Sequence, residues 1–330
     1  MKQLSIIVPA YNVSNFIEDC LNSIVADTSI LDMIEILVIN DGSTDDTLEK
    51  IILFADKYRD SIKLIDKENG GHGSGINIGV REATGKYLKV LDSDDWLVNS
   101  NLKKLVQYIC SLSVFPDIII NAYEQVWGED EKMTPYKLNK LETKKRYGLK
   151  ILNDYNYRFT IHSLTIKTDI YQKLVKTKID EKTSYDDVQY VLYPIPYINN
   201  LVYLDEVLYK YRMGNIGQSV SFVNMQKNRN KLKNILINTW SYYSEHKKQM
   251  SEEQNIYFLR DLGYTIGDYL NLLFTLSDEK QAKSEFFEFM KCVPISSGYI
   301  ASNKARFTIL TNGIFFKQVN HWYRKKRKIG

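Results

Sequence analysis

Lys89-Val90-Leu91-Asp92-Ser93-Asp94-Asp95 passes from an apolar, strand-like segment straight into three carboxylates. The charge arrives where a buried strand should meet solvent. Carboxylates this close repel one another unless a cation neutralises them. Oxygen donors with few nitrogen or sulfur competitors suit a hard divalent ion, Mg²⁺ or Mn²⁺, which keeps waters and takes up phosphate oxygens. The run therefore points to a phosphorylated ligand. The competing reading is a solvated acidic turn that caps the next helix.

Outward from this run, strand-like and helical segments alternate. Leu4 to Val8, Glu35 to Asn40, Ile62 to Asp66, Tyr87 to Leu91 and Asp117 to Asn121 read as strands. Phe16 to Val25, Thr44 to Tyr58, Ser74 to Ala83 and Asn101 to Cys110 read as helices. Apolar strands without polar alternation imply a sheet covered on both faces. The expectation is an α/β fold with a mostly parallel, doubly wound sheet, whose ligands sit beyond the carboxyl ends of the strands. Four loops fall there: Pro9-Ala10-Tyr11-Asn12, Asn40 to Asp45, Glu68-Asn69-Gly70-Gly71, and Asp92 to Asp95.

Each loop has its own chemistry. Gly42 permits a tight turn, and Ser43 or Thr44 can cap the following helix. Asp41 could accept the N3–H of a uracil whose face stacks on Tyr11; a capped turn without ligand is the alternative. Gly70-Gly71-His72-Gly73-Ser74-Gly75 does not fit G-x-G-x-x-G and follows the third strand, against a dinucleotide site. Its backbone N–H groups could still meet a phosphate or sugar. His72 is expected as a solvent-facing loop histidine, since no sequence neighbour supplies an orienting partner. Ser184-Tyr185-Asp186-Asp187-Val188 offers a second acidic pair, suited either to proton transfer or to capping by Asp186. Arg212 precedes a glycine-containing segment, Met213 to Ser221, of the kind that folds over a diphosphate.

The chain of 330 residues, 44% hydrophobic, can fill a substantial core. Its mean hydropathy of -0.32 and the lack of an apolar run near 20 residues argue against a membrane span. Met1-Lys2-Gln3 leads directly into a strand, so a cytoplasmic protein is expected. Cys20, Cys110 and Cys292 read as reduced core thiols. Val126 to Arg146 reads as a long surface loop. Beyond Asn224 the pattern turns helical, with long segments at Lys231 to Lys247 and Glu253 to Leu276, giving an expected division into residues 1–222 and 223–330. The net charge of +4 is concentrated in Lys317, Arg324, Lys325, Lys326, Arg327 and Lys328, interleaved with Phe315, Phe316, Trp322 and Tyr323. That end suits an anionic membrane face, at about 1 kcal/mol per cation, better than nucleic acid. A disordered solubilising tail is the alternative.

Together, Ser5 to Asn12, Asp41 to Asp45, Asn69-Gly70-Gly71, Leu91 to Asp95 and Asp186-Asp187 resemble the family-2 inverting glycosyltransferases over about residues 1–222. The resemblance implies a GT-A nucleotide-diphospho-sugar transferase fold with a helical C-terminal appendage. It implies Mg²⁺ or Mn²⁺ at Asp94 and Asp92, with Asp92 also on the ribose. Pro9, Tyr11 and Asp41 would hold the uridine, and Asn12, Asn69, Gly70 and Ser93 would complete the nucleotide-sugar site. Asp95 would face the donor sugar. Arg212, Gln218 and Ser219 would close on the diphosphate, and Asp187, beside Asp186, would be the catalytic base. The implied donor is a UDP-hexose or UDP-N-acetylhexosamine. The implied acceptor is a saccharide or lipid-linked oligosaccharide in surface-polysaccharide synthesis at the inner membrane face. The C-terminal helices would recognise it or form a homodimer. Gly75-Ile76-Asn77 departs from the family's Ala-Arg-Asn, and Asp-Asp from its usual Glu-Asp. A nucleotidyltransferase would need a basic loop after the first strand, which is missing here; a non-catalytic membrane-associated scaffold would retain the fold alone.

Overall fold

A computed structural model describes residues 2–128, 132–214 and 222–326, which fall into two units, residues 1–216 and 217–330. In the first unit, β1 (Leu4–Ala10), β2 (Ile34–Asn40), β3 (Ile62–Asp66) and β4 (Tyr87–Val90) alternate with helices α1 (Ile17–Val25), α2 (Thr47–Lys57) and α3 (His72–Glu82). The unit continues through β5 (Trp96–Leu97), α4 (Asn99–Ser111), β6 (Ile118–Trp127), β7 (Lys132–Tyr136), β8 (Arg146–Gly148), α5 (Lys150–Asp154), β9 (Leu164–Lys167), α6 (Thr168–Gln172), α7 (Asp187–Leu192) and β10 (Asn200–Met213).

The sheet order is β3-β2-β1-β4-β9-β6-β10-β5. Its first four strands are parallel, as expected. The other half is mixed: β9 runs antiparallel to both β4 and β6, and β5 antiparallel to β10, while β6 and β10 are parallel. The α/β fold class is as expected, with the antiparallel pairings beginning at β9, which the chain reaches through α5 and residues 155–163. The reading of Val126 to Arg146 as a long loop is corrected. β6 extends to Trp127 and β7 returns antiparallel beside it, so part of that segment is sheet.

Strand register sets the position of the loops. Ala10 pairs with Asn40, Asn40 with Asp66, and Ile7 with Val90. The residues that follow these strands therefore leave the sheet along one edge. Leu4, Ile6 and Val8 face a buried layer with Ile17, Leu21, Leu102 and Val106. On the opposite face α3 lies close to β1, because Gly75 and Gly79 are one turn apart and carry no side chain. A Cβ at Gly75 would sit 2.9 Å from Pro9 Cβ, and one at Gly79 would collide with Ile7. Of the thiols only Cys20 is buried; Cys110 and Cys292 are exposed, which corrects the expectation of three core cysteines.

The second unit is helical: α8 (Phe222–Lys227), α9 (Arg229–His246), α10 (Glu252–Leu273), α11 (Glu279–Cys292), α12 (Asn303–Leu310) and α13 (Phe316–Lys326). α10 begins with a capping box in which Ser251 and Gln254 satisfy each other's backbone N–H. Tyr257, Phe258, Leu262, Leu270, Phe286 and Phe316 are buried. Phe316 and Tyr323 both pack on Phe274, so half of the tail's aromatics belong to the core. Among the described residues no helix is long and apolar enough to cross a membrane.

Candidate active site

The loops after β1 and β2 are tied together by side chains. Asn12 takes a φ of 51°, tolerable for Asn, and its Oδ1 accepts the Thr44 N–H at 2.8 Å. Asn12 N–H donates to Ser43 Oγ at 3.1 Å. Ser43 and Thr44 are thereby diverted from capping. It is Asp45 that holds the start of α2, accepting the Thr47 N–H at 3.0 Å and the Ser14 N–H at 3.1 Å. Tyr11 stands 48% exposed beside this joint. Pro9, expected on the uridine, is buried in β1 against Gly75; that expectation is corrected, since α3 occupies its face.

Asp41 is 3% exposed and already well used. Its two oxygens accept the N–H groups of Gly70 at 2.9 Å and Gly71 at 2.7 Å, and Lys67 pairs with it. These three contacts use most of the about four acceptor sites a carboxylate has. These bonds hold the Gly70–Gly71 turn, with Gly71 at a φ of 85°, just ahead of α3. Gly70 is buried and Asn69 exposed.

That turn carries His72 into the centre of the site, overturning the expected solvent-facing histidine. His72 Nδ1 lies 2.7 Å from Asp186 Oδ2 and Nε2 lies 3.0 Å from Asp92 Oδ1. Burial disfavours protonation of the ring, but the Asp186 and Asp92 carboxylates outweigh it and raise the pKa well above the usual histidine value. As an imidazolium it donates to both. Asp92 responds: burial would raise its pKa, but the bond and charge of His72 lower it. Asp186 therefore serves His72 and makes no side-chain cap for α7, which corrects the capping alternative.

The loop before α7 is pinned from both sides. Lys182 N–H donates to Gly70 O at 2.7 Å, Asn77 brackets Ile179, and Gln189 Oε1 accepts the Asp180 N–H at 2.7 Å. Tyr185 takes a left-handed φ of 70° there, a strained conformation for a bulky residue that frequently marks functional sites. Asp187, first in α7, is open to solvent, though protein crowds it on its other sides. That crowding, and next the Asp186 carboxylate, push its pKa up to about 6.

The three carboxylates after β4 part company. The Asp95 N–H bonds to Asp92 O at 3.0 Å, closing a turn. Asp95 is 1% exposed; its oxygens accept Tyr209 O–H and the Arg212 N–H, each at 2.7 Å. It joins the loop to β10 rather than facing a donor sugar, a correction that follows from its burial. Burial, then Asp92 and Asp94, raise its pKa well above the carboxylate range. Ser93 is buried, and Asp94 is partly exposed with a pKa raised by burial and by Asp92. Arg212 is sandwiched between Phe16 and Trp96, with its Nε donating to Asp94 O at 2.9 Å. Gln218 and Ser219 lie outside the described residues.

Two residues escaped the sequence reading. His162 stacks on Tyr211 at 4.1 Å, with Nε2 4.0 Å from Asp92 Oδ2. Burial lowers its pKa to about 4, and its buried Nδ1 has no hydrogen-bond partner. Lys89, wholly buried beneath it, donates to His162 O at 2.7 Å; burial lowers its pKa to about 7. Nothing beside His162 in sequence marks it, and Lys89, although it heads the run to Asp95, reads there only as a strand residue. One ligand atom each from Asp92, Asp95 and His162 lie within 4.8 Å of one another. The two carboxylates suit Mn²⁺ or Mg²⁺, whereas an imidazole is more at home on a softer transition metal, and a cation there would relieve the repulsion from Asp92 and Asp94 that adds to burial in raising Asp95. Asp94, expected as a ligand, is not in that group among the described residues.

The family model described as Glycosyl transferase family 2 matches residues 5–173. The glycosyltransferase GlyA of Streptococcus pneumoniae is 27% identical over 287 residues, 81% of this chain and 36% of GlyA. The chondroitin synthase of Pasteurella multocida is 37% identical over 145 residues, 40% of this chain and 15% of the synthase. The chain thus spans about a third or less of these two proteins. The crystal structure of S. aureus TarS 1–349 in complex with UDP-GlcNAc superposes with a TM-score of 0.70 at 20% identity, covering 98% of this chain and 92% of that one. The mannosyltransferase PcManGT from Pyrobaculum calidifontis, in complex with GDP-Man and Mn²⁺, gives 0.52 at 14% identity, with 98% and 84% covered. These likenesses are of fold, and the fold is GT-A. The family match covers more than half of the chain, which belongs to glycosyl transferase family 2.

Proposed function

We propose that this chain transfers a sugar from a UDP-linked donor, a hexose or N-acetylhexosamine, to a hydroxyl of a saccharide acceptor with inversion at the anomeric carbon. The observation that carries the reading is the Asp92–His72–Asp186 chain of contacts, 3.0 and 2.7 Å long. It links the acidic loop of the donor side to the acidic pair of the base side through one ring. UDP is favoured by the UDP-GlcNAc complex of TarS, the better fold match.

Asp187 takes the proton of the acceptor hydroxyl, and the oxygen attacks the anomeric carbon from the face opposite the diphosphate. The new glycosidic bond forms as the bond from the anomeric carbon to the diphosphate oxygen breaks and UDP leaves with the electron pair. A carboxyl near 6 is ionised at neutral pH yet basic enough for this task. Asp92, Asp95 and His162 would hold Mg²⁺ or Mn²⁺, which when bound offsets charge on the leaving diphosphate. Arg212, held at the same loop, lies in reach of that charge. His72 orients Asp92 and Asp186 and neutralises their mutual repulsion.

The acid-poor, aromatic C-terminal end supports an acceptor presented at an anionic membrane face, a lipid-linked oligosaccharide used in surface-polysaccharide synthesis. A screen of UDP-sugars for donor consumption by the purified chain with Mn²⁺ tests the donor assignment. Release of UDP from UDP-GlcNAc or another UDP-hexose supports it, and turnover confined to GDP-sugars overturns it.

A further inference from the structure

We propose that the helical hairpin of α12 and α13 is a docking surface for an anionic lipid bilayer, which its exposed turn enters while the lysines around it meet the headgroups. After Glu288 the chain contains nine Lys or Arg and no Asp or Glu. On this acid-free stretch Leu310 is 68% exposed and Ile314 72%, with Phe307, Phe315 and Trp322 each exposed above 40%. The Phe307 and Phe315 rings meet at 5.4 Å, so they and the segment between them, which carries Leu310 and Ile314, form one patch. Other exposed apolar side chains among the described residues occur singly or in pairs, such as Val114 alone and Ile52 with Leu53, and carry no cluster of cations with them.

The patch is held in place. Gly313 adopts a φ of 70°, and a Cβ there would lie 2.6 Å from Phe287 Cζ, so the turn rests directly on α11. Phe316 and Val319 anchor α13 from its inner face. Lys304 and Lys326 stand over the Trp322 ring at 4.8 and 5.2 Å, placing cations at the level of an interfacial tryptophan. Arg306 and Arg324 are turned back to the carbonyls of Ile300 and Ser277, leaving the contact to lysines.

The chemistry selects a bilayer over other occupants. The two most exposed residues of the patch are aliphatic, with nothing to offer a phosphate or a base. A second copy of the same face would set two acid-free surfaces against each other, which charge repulsion opposes. An anionic bilayer satisfies both: hydrocarbon for Leu310 and Ile314, headgroups for Lys304, Lys317, Lys325 and Lys326. The proposal deepens the membrane-side reading above without depending on catalysis.

Co-sedimentation of the full chain with vesicles containing about 30% phosphatidylglycerol, against pure phosphatidylcholine, tests it. Binding is expected only to the anionic vesicles, falling about fivefold for each lysine neutralised in Lys325→Ser and Lys326→Ser. The Leu310→Ser/Ile314→Ser variant should bind at least about tenfold more weakly while keeping parental melting and parental turnover of a soluble donor. Equal binding to neutral vesicles, or unchanged binding of the serine variant, overturns the proposal. So does a solution dimer that the serine variant dissolves, or RNA that competes at equal affinity in the parent. Loss of turnover with vesicle binding intact would count against the catalytic reading alone.

Discussion

His72 and Asp186, 114 positions apart in sequence, meet at 2.7 Å. The contact joins the first turn of α3 to the entrance of α7, and the other nitrogen of the same ring reaches Asp92. Two carboxylates that would repel across the cleft are held by one cation between them. Asp187 is left as the neighbouring carboxyl whose proton affinity suits a base.

Removing the ring should therefore disturb both sides of the cleft. His72→Ala is expected to lower kcat about a hundredfold, the scale of loss for a misplaced reacting group. His72→Gln, which keeps a donor but no charge, should recover part of it. Steady-state kinetics of the three proteins decide; a His72→Ala variant within twofold of the parent would show the bridge to be dispensable.

Metal binding can be read without turnover. Mn²⁺ at about a hundred times its Kd should stabilise the chain by about 2.7 kcal/mol in thermal melts. Asp92→Asn should abolish that shift. His162→Ala should weaken Mn²⁺ affinity at least about tenfold by titration calorimetry. Unchanged affinity in His162→Ala, with loss in Asp94→Ala, would return the ligand role to Asp94.

The closeness of α3 to β1 makes a packing prediction. Gly79→Ala places a methyl against Ile7, and overpacking of this kind costs about 1–3 kcal/mol. Tm should fall by several degrees, at about 2–4 °C per kcal/mol. Ile7→Ala removes the Cγ atoms that the new methyl meets, so Gly79→Ala should cost less in an Ile7→Ala chain than in the parent. An unchanged Tm for Gly79→Ala would mean that the helix can move away from the strand freely.

Asp187→Asn should separate stability from activity. A carboxyl raised to about 6 binds its proton more tightly folded than unfolded, so its contribution to stability is present below about 4 and lost as pH rises through 6. Above pH 6 the asparagine variant, free of that ionisation, should melt about 2 °C higher than the parent. A lower Tm for the variant at pH 7.5 would contradict this.

Much of this was legible in sequence wherever the signal was local. Apolar runs ending in Asn40-Asp41 and Leu91-Asp92 marked strand ends, and their register carries those loops to one edge. β9 has only four residues, and β10 mixes polar positions with two register shifts, so neither stood out. The helix cap fell to Asp45 because Asn12, arriving from another loop, claimed Ser43 and Thr44. His162 and Lys89 act through contacts 70 or more residues away, and no spacing rule reaches that far. Asp95 reads like its neighbours, and only the pairing of β5 with β10 buries it.

Inverting transfer with Asp187 as base is read from the pH dependence of kcat/KM with UDP-GlcNAc and a saccharide acceptor, with the product anomer followed by NMR. Activity should rise through a pKa of about 6 to a plateau, with an inverted anomer and a loss of about a thousandfold in Asp187→Asn. A retained anomer, or a full-rate Asp187→Asn variant, would contradict it.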